Sequence, residues 1–306
     1  MGERTYQFIG AASCWGAKIR TCEDGPDALK NSGCEELLKK QKIAISHWKT
    51  LYPTVKFKQK DIPLNESLPL IAEFNNRLAD RVFDVMKQGH FPVVIGGDHS
   101  IAIGTWNGVG CFLSQQSEKP LGLLWIDAHM DSHTEETTPS GAWHGMPLAA
   151  LMGHGRKELT DVKRSEPILK PENVCLIGIR SYEEEEAKLL ESLNVRIYFI
   201  EEVKKRGFQT VLREAIAHVS KGTVGYGVSL DVDVVDPSEA PGTGSTESNG
   251  LSATELLKGL PLLSIDPHLR AFELVEFNPH LDKQDKTRKL CQQILSTVLF
   301  QGKSHG

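Results

Sequence analysis

Leu121-Gly-Leu-Leu-Trp-Ile126, followed at once by Asp127-Ala-His-Met-Asp-Ser-His133, is the stretch whose reading decides the fold. Six uncharged residues that give way to acid and imidazole describe a strand buried on both faces, with a carboxyl end that opens on polar chemistry. The arrangement occurs twice more. Phe91-Pro-Val-Val-Ile95 runs into Gly96-Gly-Asp-His-Ser100, and the run ending at Leu230 leads into Asp231-Val-Asp-Val-Val-Asp-Pro237.

Around these three runs, the last of them over 224–230, apolar spacing predicts further strands over 6–10, 174–179, 195–200 and 271–277. Helices are expected over 66–88, 100–115, 182–193, 208–220, 252–263 and 285–300. In the first of these, Ile71, Phe74, Leu78, Val82 and Met86 recur at steps of three and four, and Gly89 stops the run. Near-continuous apolar strands alternating with helices give an α/β fold with a mostly parallel sheet of seven or eight strands, covered on both faces. No Pro/Gly/Ser-rich linker divides residues 1–306, so one domain is expected. Ligands of such sheets bind beyond the carboxyl ends of the strands, which is where the polar clusters lie.

Composition narrows the function. Of 306 residues, 40% are hydrophobic and 25% charged, as in globular proteins. Thirty-five Lys plus Arg against 40 Asp plus Glu give a net charge of −5, which argues against nucleic acid or an anionic membrane as partner. No apolar run approaches the ~18–20 residues of a membrane span. The opening lacks the apolar core of a secretory signal, and Tyr6 breaks the pattern that would make Met1-Gly2 a myristoylation start. The six cysteines are scattered without a CxxC pair, which reads as reduced thiols in the cytoplasm, with Cys111 and Cys175 as packing residues. The acidic run from Glu183 to Glu186 reads as a solvated helix start. The remaining histidines, His305 among them, show no ligand spacing.

Taken singly, each strand-end cluster has a structural reading: a glycine turn, a capping residue, a turn rich in Asx side chains. Three in a row at the ends of apolar strands point to function. Alternate positions of an extended segment face the same way, so Asp127, His129 and Asp131 converge, as do Asp231 and Asp233. Carboxylates packed together need a compensating cation. Carboxylates with about two imidazoles and no thiolate suit Mn²⁺ above Zn²⁺. Their number suffices for two ions, and two-metal sites generate hydroxide at neutral pH for hydrolysis.

With GGDHS, DAHMD and SLDVDVVDP in that order, and with Phe8-Ile-Gly-Ala11, Gly25-Pro-Asp-Ala28 and Val275-Glu-Phe-Asn-Pro279, the chain resembles the ureohydrolases over most of its length. That family comprises arginases, agmatinases, formiminoglutamases and relatives. The resemblance implies a three-layer α/β/α sandwich around a parallel eight-stranded sheet. It implies two Mn²⁺ per chain, one on His99, Asp127, Asp131 and Asp231, the other on Asp127, His129, Asp231 and Asp233, with Asp127 and Asp231 bridging. It further implies attack of a metal-bridging hydroxide on a guanidinium carbon, with Asp131 accepting the proton, His144 shuttling protons and Glu276 pairing with the guanidinium.

Within the family, the thirteen-residue step from Asp131 to His144 is similar to arginases, which split L-arginine into ornithine and urea. Thr138 and Ser140 match positions that bind the substrate carboxylate, and Glu183 lies near one facing its α-amino group. The sequence departs from arginases at His133 and Ala142, where asparagines are usual, and at Arg180-Ser-Tyr-Glu183. His133 is then expected to offer the carboxylate a ring N–H. The alternatives are an agmatinase-like amidinohydrolase and a formiminoglutamase. A regulatory protein that kept only the fold would have lost metal ligands, and none of the six is missing. A two-metal phosphoesterase of another fold would have no use for Glu276 and the Ser140 rim. The resemblance also suggests a homo-oligomer, a trimer or hexamer.

Overall fold

Eight strands form the sheet: β1 (Tyr6–Ala11), β2 (Ile45–Leu51), β3 (Phe91–Gly96), β4 (Leu121–Ile126), β5 (Leu169–Ile179), β6 (Arg196–Phe199), β7 (Tyr226–Asp231) and β8 (Leu269–Val275). The computed structural model describes residues 4–55 and 62–300; Met1-Gly2 and His305 lie outside them. The strands are ordered β2-β1-β3-β8-β7-β4-β5-β6, and every pairing is parallel.

Alternation along each strand divides the core. Phe8, Val93, Ile95, Leu124, Ile126, Val228, Leu230 and Phe272 face the layer that holds the helices Phe208–Ser220 and Lys286–Leu299. Ile9, Val94, Leu123, Trp125 and Ala271 face the opposite layer, which holds Leu68–Lys87 and Ala102–Ser114. Two-sided burial is why these strands read as unbroken apolar runs.

The chain leaves β3 for β4 and returns later to fill the gap with β7 and β8. β3, β8, β7 and β4 therefore stand side by side, with their carboxyl ends together at the place where strand order reverses.

Differences from the sequence reading have local causes. The helix over 66–88 begins at Leu68, after a separate turn Leu64–Glu66 and with Pro69 in its first turn. Pro261 divides the run over 252–263 into Ala253–Gly259 and Pro261–Ser264. β2 escapes a reading from apolar runs because it is an edge strand, mostly half-buried and of mixed polarity. Ile200, expected in a strand, opens the helix Ile200–Arg206. Among the described residues no helix is long and apolar enough to cross a membrane.

Candidate functional site

The Gly96-Gly97 turn after β3 brings His99 inward. A Cβ on Gly97 would lie 1.9 Å from the Ser13 carbonyl oxygen, so only glycine fits this approach. Asp98, which the sequence reading passed over, locks the turn. One of its oxygens accepts the Ser100 N–H at 2.9 Å; the other accepts the N–H groups of Gly16 and Ala17 at 2.7 and 3.2 Å.

His99 lies flat on Trp125, with ring centroids 4.0 Å apart. Its Nε2 is 2.9 Å from Ser229 Oγ, which itself donates to Glu273 at 2.7 Å. Ser229 has one hydrogen and gives it to Glu273, so it accepts from His99 Nε2–H. Nδ1 is left for another partner, and it faces Asp127 Oδ2 at 3.1 Å, Asp131 Oδ2 at 3.0 Å and Asp231 Oδ2 at 3.2 Å. His99 Nδ1 and Asp127 Oδ2 are buried without a hydrogen-bond partner. A ring nitrogen that meets three carboxylate oxygens in a buried site calls for a cation.

A second group adjoins the first. His129 Nδ1 is 3.0 Å from Asp233 Oδ2 and 3.5 Å from Asp127 Oδ1. Asp127 is common to both groups, whereas Asp231 stands with His99 in the first. The other oxygen of Asp231 accepts the Asp233 N–H at 2.9 Å, which caps the turn Val232–Val234. All six residues expected as metal ligands are thus brought together, by a different backbone from the one expected. Asp131 is not extended: its φ of 48° is left-handed, and this turn swings its carboxylate back to His99. Glu276 shares the feature, with φ 65°, so two strained residues coincide with the cleft.

Burial and the mutual repulsion of the carboxylates push Asp131 and Asp231 above the usual carboxyl range, Asp231 well above it. Asp233, buried beside His129, is raised to about 6. Burial works against protonation of His99 and His129, but the surrounding aspartates outweigh it and hold both imidazoles well above their ordinary value. Without a metal ion the cluster balances its charge with protons, and a divalent ion would displace them.

The groups open into a cavity of about 370 Å³ whose walls include His129, Asp131, His133, Ser140, His144 and Glu276. His144 Nδ1 is 2.9 Å from Glu276 Oε1, which also accepts the His99 N–H at 2.9 Å. Burial opposes a charge on His144, but the Glu276 carboxylate overcomes it and lifts the imidazole to about 9. Burial alone would raise Glu276, but the His144 cation brings it below the ordinary range.

At the rim, Thr138 Oγ1 accepts the Gly141 N–H and Ser140 Oγ accepts the Ala142 N–H, each at 3.1 Å. Ser140 lines the cavity; Thr138 is hydrogen-bonded to it, with the two hydroxyl oxygens 3.3 Å apart. His133 is otherwise engaged: Nδ1 lies 3.1 Å from Thr137 Oγ1 and Nε2 2.9 Å from Glu183 Oε2. Neither nitrogen is left over for a substrate carboxylate. Glu186 corrects the reading of its acidic run as solvated. It is buried, accepts the N–H groups of Glu183 and Ser132 at 3.0 and 3.3 Å, and burial lifts its carboxyl to about 7.

Ser229 and Glu273, which orient His99, were also missed. They are direct cross-strand partners on β7 and β8, and the available signal was a polar residue inside an otherwise apolar parallel strand. Arg180 is a staple: its guanidinium donates to the carbonyls of Asp233 at 2.6 Å and Glu247 at 2.8 Å.

The arginase family model matches residues 4–301. The chain is 37% identical over 295 residues to the arginase of Brevibacillus brevis, covering 96% of this chain and 97% of that one. It is 38% identical over 299 residues to the arginase of Bacillus caldovelox, covering 96% and 98%. The crystal structure of the arginase from Bacillus subtilis superposes with a TM-score of 0.88 at 32% identity, covering 97% of this chain and 99% of that one.

Proposed function

The chain belongs to the arginase family, hydrolases of a guanidino C–N bond whose reaction turns L-arginine into ornithine and urea, and we propose how its own residues divide that work. His99, Asp127, Asp131 and Asp231 would hold one Mn²⁺, and Asp127, His129, Asp231 and Asp233 a second. The observation that carries this reading is His99 Nδ1, buried and facing three carboxylate oxygens. The donor set, rich in carboxylate and free of thiolate, favours Mn²⁺. Such ions, when bound, neutralise the carboxylates and activate water for attack on the guanidinium carbon.

Glu276 orients the substrate. Its Oε1 is occupied by His99 N–H and His144, so Oε2 is the oxygen free to accept from a guanidinium N–H. Asp131 takes the proton of the attacking water and passes it to the leaving nitrogen. His144 carries a proton at neutral pH and is only partly covered, so it exchanges protons between the cleft and solvent. The hydroxyls of Thr138 and Ser140 accept from backbone N–H groups and share one hydrogen between them, which leaves the other hydrogen of the pair for the substrate carboxylate. Glu183, on its His133 support, receives the α-ammonium.

Residues 1–306 act as one domain in this reading, and the six free cysteines support a reducing cytoplasmic setting. Family likeness supports a homo-oligomer, a trimer or hexamer, which sedimentation velocity would test. The activity test is release of urea and ornithine from L-arginine with Mn²⁺, beside agmatine and a formimino substrate. Arginine should lead agmatine in kcat/KM by at least ~10-fold, because a rim built for a carboxylate is left with unpaired groups when it is missing. Equal values, or formamide release in preference to urea, would overturn arginine as the substrate and leave the family standing.

A further inference from the structure

We propose that Lys18 is the charge partner of the substrate's α-carboxylate and a determinant of arginine over agmatine. The inference rests on the arginine reading above and goes beyond it by naming a residue on a separate loop.

Seven carboxylates line the cavity, and Lys18 is the one lysine or arginine among the lining residues. Three of the seven are aspartates of the metal cluster. The other four are Glu183, Glu186, Glu247 and Glu276, so negative charge remains in the cleft after metal binding. A substrate that brings its own carboxylate into such a cleft is repelled unless a cation meets it. His144, the other cation among the lining residues, is already paired with Glu276, and the rest of the rim supplies none. Ala142 presents a methyl group, and both nitrogens of His133 are engaged by Thr137 and Glu183.

Lys18 is exposed and makes no ion pair among the described residues, so its ammonium is available. Its backbone, by contrast, is held firmly. Asp98 grips the N–H groups of Gly16 and Ala17, and the Arg20 guanidinium donates to the Ala17 carbonyl at 3.3 Å. The Gly16 carbonyl accepts the His144 N–H at 3.2 Å. That last bond ties the two segments together. Lys18 lies two residues beyond Gly16, and Ala142 two residues before His144, so the lysine and the hydroxyl-bearing rim flank one backbone junction. A long cationic side chain on a fixed base can cover the carboxylate once it is bound.

The test is Lys18→Ala, an exposed position whose truncation leaves the fold intact, beside Lys18→Arg, all loaded with Mn²⁺. For arginine, kcat/KM should fall roughly tenfold, as when a charge-assisted bond is cut at a partly solvated site. The loss should appear in KM with kcat unchanged, agmatine should be unaffected, and Lys18→Arg should keep most of the preference. Calorimetry gives a readout free of turnover: ornithine should bind the alanine variant more weakly by the same factor, while 1,4-diaminobutane, which lacks the carboxylate, should not change. Equal shifts for arginine and agmatine, or unchanged ornithine affinity, would overturn the role of Lys18 alone. If the unsubstituted protein already treats arginine and agmatine alike, the arginine reading fails first and Lys18 falls with it.

Discussion

Glu276→Gln removes one charge beside His144 and nothing of similar size, so it isolates the pair that the mechanism depends on. At 2.9 Å the raw attraction between the two charges is about 6 kcal/mol at an effective dielectric near 20. Burial of the imidazole cancels part of it. The net lift of His144 from 6.5 to about 9 corresponds to about 3 kcal/mol. With glutamine in place, burial is opposed only by the Asp98 and Asp131 carboxylates, and the midpoint should fall from about 9 toward the ordinary histidine value. The assay is NMR titration of the His144 ring, done without metal because Mn²⁺ is paramagnetic and broadens nearby signals. Stability should follow. A histidine raised on folding contributes stability that is fully present below its unfolded value near 6.5 and is lost as pH rises through about 9. Metal-free protein should therefore weaken over that window, and the variant should show a flatter profile there. A His144 midpoint that stays near 9 in the variant would refute the pairing as the source of its charge.

Three other outcomes are expected. Asp127→Ala should strip both metal ions on dialysis, since Asp127 belongs to both groups, whereas His99→Ala should chiefly loosen one; elemental analysis separates the two, and equal loss would deny the shared role. Ser229→Ala leaves the His99 Nε2–H buried without its acceptor, at a cost of about 1–3 kcal/mol, and should weaken Mn²⁺ binding ~10–100-fold in a competition titration. Gly227→Ala would place a Cβ 1.9 Å from the buried Trp106 ring, and overpacking of this kind costs about 1–3 kcal/mol or more; an unchanged urea midpoint would contradict the close packing of β7 on the helix Ala102–Ser114.

The central strands were legible because a parallel sheet covered on both faces needs uninterrupted apolar residues, and the chemistry was legible because it begins where they stop. β4 matches its expected bounds, and the helix Phe208–Ser220 does too. β2 was not legible: as an edge strand it carries Ser46, His47, Lys49 and Thr50, with no apolar run to betray it. Identities of the metal-facing residues could be read, but their approach could not. The convergence of Asp131 depends on a left-handed φ, which aspartate allows without announcing. Glu186 shows the opposite limit. Four consecutive glutamates look alike in sequence, and only the helix phase and the capping box decide that the last one is buried beneath His133. His133 was expected to face a carboxylate, but Thr137 of its own loop and Glu183 from a distant segment claimed its two nitrogens.

Counting manganese against activity tests the central claim most directly. Metal-free protein should be titrated with Mn²⁺ while bound metal and urea release from L-arginine are followed in the same samples. The account predicts saturation near two ions per chain, with activity that completes only as the second binds. Full activity at one ion per chain, or Mn²⁺ binding that survives loss of Asp127, would contradict it.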